Sequence, residues 1–220
     1  MENKLNFSEN VAFTPEAALA RFGQFSRGFY SMPFYRKIWA NIMPELKQMG
    51  YFTAPASTKF HLCISGGLLL HSVVVAAVAL DLADRFAPGF CEHDIILAAL
   101  LHDSGKCGLL SDGKLQPRYI LNTEPFPSWP KQQKWWTPYI YTDSKPMFTV
   151  RDLSAFYASR WGLSYDIIQA ILAHDGAYDD ANKKYGMNSS PLSSLLTVAD
   201  LFSVSVLETK TECLIKRWDI

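Results

Sequence analysis

With 220 residues, 49 % of them hydrophobic, the chain is long enough for one domain with a sizeable core. Lysine plus arginine balance aspartate plus glutamate at 21 each, which excludes an overall positive field, so any nucleic-acid role rests on a local site. Cys63, Cys91, Cys107 and Cys213 form no CxxC pair and the N-terminus shows no leader pattern, which points to free thiols in a reducing cytoplasm.

Residues 1–13 lack periodicity and read as a loose arm. Thr14-Pro15-Glu16-Ala17 sets a capping hydroxyl, a proline at the first helical position and an acid in order, predicting a short helix to about Phe22. Met32-Pro33 opens a second helix through about Met49, with Phe34, Ile38, Ile42 and Leu46 on one face and Gly50 as its stop. Residues 1–50 are thus an arm and scaffold helices packing on the domain that follows, expected over 51–210.

Tyr51 to Ser65 holds prolines, serines and threonines and reads as a loop carrying His61. From Gly66-Gly67 a long helix runs to about Phe86, apolar almost all round and therefore central. Its apolar stretch is short for a bilayer, so a buried helix and no membrane partner are expected. Pro88-Gly89 breaks the chain, Glu92 to His102 forms the next helix, and His93 is read as an exposed surface residue.

From Leu109 to Pro146, prolines at 117, 125, 127, 130, 138 and 146 alternate with Trp129, Trp135, Trp136, Tyr139 and Tyr141. Long helices are excluded there, so about 109–148 is an irregular insert or small hairpin. Its aromatics either stack on a base or sugar or, as is commoner, pack the insert onto its own domain. Helical spacing returns from Val150 to Trp161 and from Ser164 to Asp175. Tyr178 to Ser190 is polar. Ser189-Ser190-Pro191 then starts a last helix to about Lys210, on which Leu192, Leu195, Leu196, Val198, Ala199, Leu201, Phe202 and Val206 make a broad apolar surface. Residues 211–220 are a surface segment.

Three of these apolar helices carry polar groups that are costly to bury. His71 is the only ionisable residue of the central helix before Asp81, and Asp200 is the single acid within the last apolar surface. The unbroken run Ile95 to Leu101 ends in His102-Asp103-Ser104-Gly105-Lys106. Gly105 is expected to close that helix in the left-handed conformation, leaving His102 and Asp103 beside Lys106. A core histidine bonded to a carbonyl, or a chance His-Asp pair such as the second one at His174-Asp175, is the plainer explanation of any one of them. Together at a shared centre they suit a divalent cation, whether Mn, Mg, Co, Ni, Fe or Zn.

The order His71, His102-Asp103, Asp200 on successive helices resembles the HD superfamily of metal-dependent phosphohydrolases. Pro55-Ala56-Ser57 with His61, Gly66-Gly67-Leu68-Leu69-Leu70-His71-Ser72, Leu100 to Lys106, Ile171 to Gly176 and Val198-Ala199-Asp200 extend the likeness over residues 50–207. They are similar to the HD domain of bacterial 3'-to-5' exoribonucleases and to small stand-alone HD proteins of phages and mobile elements. The resemblance implies an all-α HD bundle in which His71, His102, Asp103 and Asp200 ligate the metal. It further implies that Asp103, Lys106 and His174 are catalytic, with His61, Lys106 and Asp175 near the substrate.

The expected reaction is hydrolysis of a phosphoester of a nucleotide or related small phosphate, by hydroxide that the metal makes available. One metal is expected. The resemblance implies that a two-metal set would carry another histidine just before the penultimate helix, where Phe148-Thr149-Val150-Arg151-Asp152 offers none. Alternatives are a 3'-to-5' exonuclease on single strands, less favoured by the neutral charge, and a non-catalytic nucleotide-binding module. A two-iron oxygenase would need the second site. Oligomeric state stays open.

Overall fold

Thr14 starts the first helix as expected, its hydroxyl accepting from the Ala17 N–H ahead of Pro15. The computed structural model describes residues 14–86, 88–128, 136–142, 148–175 and 190–208; the arm at 1–13, the polar stretch after Gly176, Trp129, Trp135 and the C-terminal segment lie outside them. Helix α1 (Pro15–Ser31) runs well past Phe22. Phe22, Phe25 and Phe29 recur at helical spacing and are buried, with Phe29 4.6 Å and Phe22 5.6 Å from the Trp39 ring, and this packing outweighs the poor helix propensity of Gly23 and Gly28. Helix α2 (Pro33–Gln48) ends before Gly50, which takes φ +71°. Its buried face is Tyr35, Trp39, Ile42 and Leu46; Phe34 is 68 % exposed, so the expected face is rotated. The Trp39 indole, held by its N–H on Ser26 Oγ and by those rings, sets that rotation.

Helix α3 (Gly67–Phe86) is the central element. It is the one described helix long and apolar enough to cross a membrane by length and composition, and 78 % of that apolar window is buried inside the protein. Helices α1 and α4 (Glu92–Leu101) pack along it. A side chain on Gly67 would stand 2.0 Å from the Leu62 carbonyl oxygen, so its glycine fixes the 51–66 loop against the start of α3. His93 is not a free surface residue: its ring stacks on Tyr35 at 4.7 Å and 17°, while Tyr35 donates to Asp94.

After α4 the chain makes a 3-10 turn, Ser104–Cys107, and two antiparallel hairpins. Strands β1 (Gly108–Ser111) and β2 (Lys114–Pro117) pair, as do β3 (Tyr119–Leu121) and β4 (Tyr139–Tyr141). The described residues of the 109–148 insert thus carry two hairpins. Gly105 does not close α4 in the left-handed conformation as expected; it is needed because a Cβ there would meet the Val150 carbonyl oxygen at 2.1 Å, and the positive φ belongs to Gly108. Helix α5 (Val150–Arg160) is opened by a capping box between Thr149 and Asp152, and α6 (Tyr165–Ala173) by the Ser164 hydroxyl. Helix α7 (Pro191–Phe202), capped by Ser190, packs on α3 and α6 and passes into a π-helical turn, Ser203–Leu207. Leu192, Leu196 and Ala199 are buried, whereas Val198, Leu201 and Phe202 are exposed, so the apolar surface is narrower than expected. The architecture is an all-α bundle of seven described α-helices with two small hairpins.

Candidate metal centre

Each helix brings its polar residue to the centre by a different local device. His71 is the fifth residue of α3, one turn beyond the Gly67 contact. His102 is the C-cap of α4 and His174 the C-cap of α6, so each imidazole follows a run of buried apolar residues and emerges where the helix stops. Asp103 follows at the start of the 3-10 turn, and Asp200 projects from α7.

Four atoms converge there. His71 Nε2 lies 3.2 Å from His102 Nε2, 3.4 Å from Asp103 Oδ2 and 3.2 Å from Asp200 Oδ1. His102 Nε2 is 3.4 Å from Asp103 Oδ2 and 3.9 Å from Asp200 Oδ1. The opposite ring nitrogens fix what those atoms are. His71 Nδ1 stands 2.7 Å from Glu208 Oε1, and His102 Nδ1 stands 2.7 Å from the Ala99 carbonyl oxygen. Both Nδ1 atoms face acceptors and donate, so in the neutral rings it is Nε2 that presents a lone pair to the centre. His71, His102 and Asp200 form one group whose ligand atoms lie within 4.8 Å of one another, Asp103 Oδ2 stands 3.4 Å from both imidazole nitrogens, and Asp200 Oδ1 is buried without a hydrogen bond. A shared cation would reconcile them, because nitrogen and oxygen acceptors packed this closely have no proton of their own to share between all of them. The donor set of nitrogen and oxygen fits a divalent metal of the first transition row.

The electrostatics of the protein groups alone point the same way. Burial opposes ionisation of Asp103 and Asp200, yet Lys106 and His102 hold the first carboxyl well below its ordinary range, and His71 holds the second below it. Burial likewise disfavours a charged His71, but Glu208, Asp103 and Asp200 raise its pKa well above the usual value. A proton on His71 is thus the competitor a cation displaces.

Around this core the remaining expected residues take distinct places. Lys106 is partly buried with Nζ 2.5 Å from Asp103 Oδ2, a pair strong enough to raise its pKa despite desolvation. His174 Nδ1 donates to the Ile171 carbonyl at 2.6 Å; its Nε2 is 3.3 Å from Asp175 Oδ1 and 4.0 Å from Asp103 Oδ1. Asp103 therefore offers its two oxygens to different partners, and His102, Asp103 and His174 form a second group able to hold an ion. Asp175 is half-exposed at the rim. His61 lies on the other side, its ring 5.4 Å from that of His71, with Nε2 buried and without a hydrogen bond. Burial, then the charges of His71 and Lys106, push its pKa down to about 4. Glu208, 1 % exposed, is the site residue that sequence reasoning missed: an acid after the apolar Val204-Ser205-Val206-Leu207 was the available signal.

An all-helical bundle that brings histidines and aspartates together in groups able to hold a metal ion defines the class of protein. The HD domain family model matches residues 68–205, more than half of the chain, and the chain belongs to that family. The family is one of metal-dependent phosphohydrolases, generally hydrolases that bind divalent metals. Neither the comparison with curated proteins nor that with solved structures found a match.

Proposed function

We propose that the protein hydrolyses a phosphoester of a nucleotide or a related small phosphate. The observation that carries this reading is the meeting of His71, His102, Asp103 and Asp200 through four acceptor atoms, with the cation of Lys106 beside them. Those four residues would hold one divalent metal, which when bound would supply Lewis acidity and a nucleophile near neutral pH. Asp103 Oδ1, turned away from the central group, accepts a proton from water. His174, its Nδ1 proton committed to Ile171, accepts or gives one at Nε2 and serves the leaving oxygen. Lys106 places positive charge next to oxygens that gain charge during P–O cleavage. Asp175 at the rim and His61 behind His71 complete the surroundings of the substrate.

A second reading, strand cleavage from a 3' end, draws on the insert. Tyr119 and Tyr141 pair across β3 and β4 at 5.1 Å, Arg118 lies over Tyr141, and Tyr141 and Phe126 are exposed, a surface suited to stacking a base. Purified protein, loaded in turn with Mn, Mg, Co and Ni, is to be offered nucleoside mono-, di-, tri- and cyclic phosphates and a labelled single strand. Release from a small nucleotide supports the first reading, and shortening of the strand alone supports the second. No product from either, with metal bound, favours a non-catalytic nucleotide-binding module.

A further inference from the structure

His71 differs from the other two histidines of the site in one respect. His102 and His174 each end a helix, so the carbonyls three residues back, Ala99 and Ile171, lack helical partners and accept the Nδ1 protons. His71 lies inside α3, whose carbonyls are engaged in the helix. Its Nδ1 proton needs an acceptor from elsewhere in the chain. Glu208 supplies it from 137 residues away, with Oε1 at 2.7 Å and both side chains 1 % exposed.

The π-helical turn explains how Glu208 gets there. In an unbroken α-helix eight residues turn through about 800°, which would leave Glu208 about 80° round from Asp200. The wider turn at Ser203–Leu207 absorbs one extra residue and brings that offset to about 20°. Asp200 and Glu208 then address the same imidazole from its two nitrogens. The HD match ends at residue 205, before Glu208.

We infer that Glu208 is a positioning residue that takes the Nδ1 proton of His71 as a hydrogen bond, fixes the tautomer and aim of the ring, and makes Nε2 a stronger donor to the cation. This rests on the metal-centre reading above. The ligand atoms of His61, His71 and Glu208 also lie within 4.8 Å of one another, so the rival arrangement is an ion held by these three.

The test is titration of metal-free protein with Mn²⁺ by calorimetry, with Co²⁺ absorption and ¹⁵N histidine spectra alongside, on the parent, Glu208→Gln and Glu208→Ala. The expected result is one Mn²⁺ per parent chain and an affinity about 10- to 100-fold weaker in Glu208→Ala. Glu208→Gln, whose amide oxygen still accepts the proton, loses only a few-fold. The Co²⁺ spectrum shifts in Glu208→Ala and is largely retained in Glu208→Gln, and the ¹⁵N spectra of the metal-free protein, where Nε2 is not ligated, show His71 leaving the Nδ1-protonated form in Glu208→Ala. Parent-like affinity and spectra in Glu208→Ala overturn the inference, as does a second Mn²⁺ lost on changing Glu208. If the parent binds no Mn²⁺ or Co²⁺, the metal-centre reading fails; the ¹⁵N spectra then separately report the tautomer, and an unchanged tautomer in Glu208→Ala overturns the inference on its own. Should Glu208→Ala not fold, Glu208→Gln decides: affinity reduced a few-fold supports the inference, and equal affinity overturns it.

Discussion

Lys106 Nζ sits 2.5 Å from Asp103 Oδ2, the same oxygen that faces His71 and His102. The lysine thus competes with a cation for the carboxylate while neutralising it in the absence of one. Removing one partner of a buried ion pair costs about 3 kcal/mol. Lys106→Met is expected to lower the stability of the EDTA-treated protein by about that amount, to bind Mn²⁺ at least as tightly as the parent, and to turn over about 100-fold more slowly. Denaturant titration, calorimetry and product release measure the three. Weaker Mn²⁺ binding in the variant would show that the lysine supports the centre rather than competing for it.

His102 and His174 separate a one-ion from a two-ion centre. His102 contributes to the central group, whereas His174 stands 4.0 Å from Asp103 Oδ1. Elemental analysis should find His102→Ala without metal and His174→Ala with one equivalent retained, the latter about 100-fold slower through loss of proton transfer. Saturating Mn²⁺ should raise the melting temperature of His174→Ala and leave that of His102→Ala unchanged. A parent with two equivalents and a His174→Ala variant with one would establish the second group as a metal site.

The pH dependence of stability carries the mark of His61. Its pKa falls from 6.5 to about 4 on folding, so between those values the unfolded chain binds the proton that the folded chain refuses. Stability contributed by the neutral ring is present above pH 6.5 and is lost as pH falls toward 4, by roughly 2.5 kcal/mol at a pH of about 4.5. His61→Gln has no such proton to take up. Urea unfolding with EDTA at both pH values should show a smaller acid loss in the variant, and equal losses would dismiss the burial of a neutral ring.

Glycines predict stability in opposite directions. Gly105→Ala forces a Cβ to 2.1 Å from the Val150 carbonyl and 2.9 Å from Leu153 Cβ, and is expected to cost about 3 kcal/mol. Gly23→Ala lies within α1, where the nearest atom to a new Cβ is the end of Arg27 at 3.7 Å, and is expected to gain up to about 1 kcal/mol. Thermal unfolding of the two variants reads both signs.

How far the sequence revealed this molecule depended on whether a residue's neighbours in the chain set its environment. His71, His102, Asp103 and Asp200 were legible because each interrupts an apolar run, and burial of a polar group without a partner is costly enough to require one. The helix starts at Thr14, Ser164 and Ser190 were legible because their caps are local. The length of α1 and the rotation of α2 were not, since both follow from ring contacts between different helices around Trp39. Glu208 escaped because periodic reading assumes an unbroken α-helix and the π turn changes the phase just ahead of it. The role of Gly105 was misjudged because its constraint comes from Val150, beyond the insert.

That last contact bears on how such a protein can change. The chain leaves for the hairpins just after Gly105 and returns at Val150, and the two ends are held together there, with Gly105 against the Val150 carbonyl and its N–H on Ser154 Oγ. Because the base is closed by groups outside the hairpins, doubling the length between them adds only about 0.6 kcal/mol of closure entropy. A lineage can therefore exchange the aromatic surface near the centre by insertion or recombination while the residues that hold the ion inherit their positions unchanged.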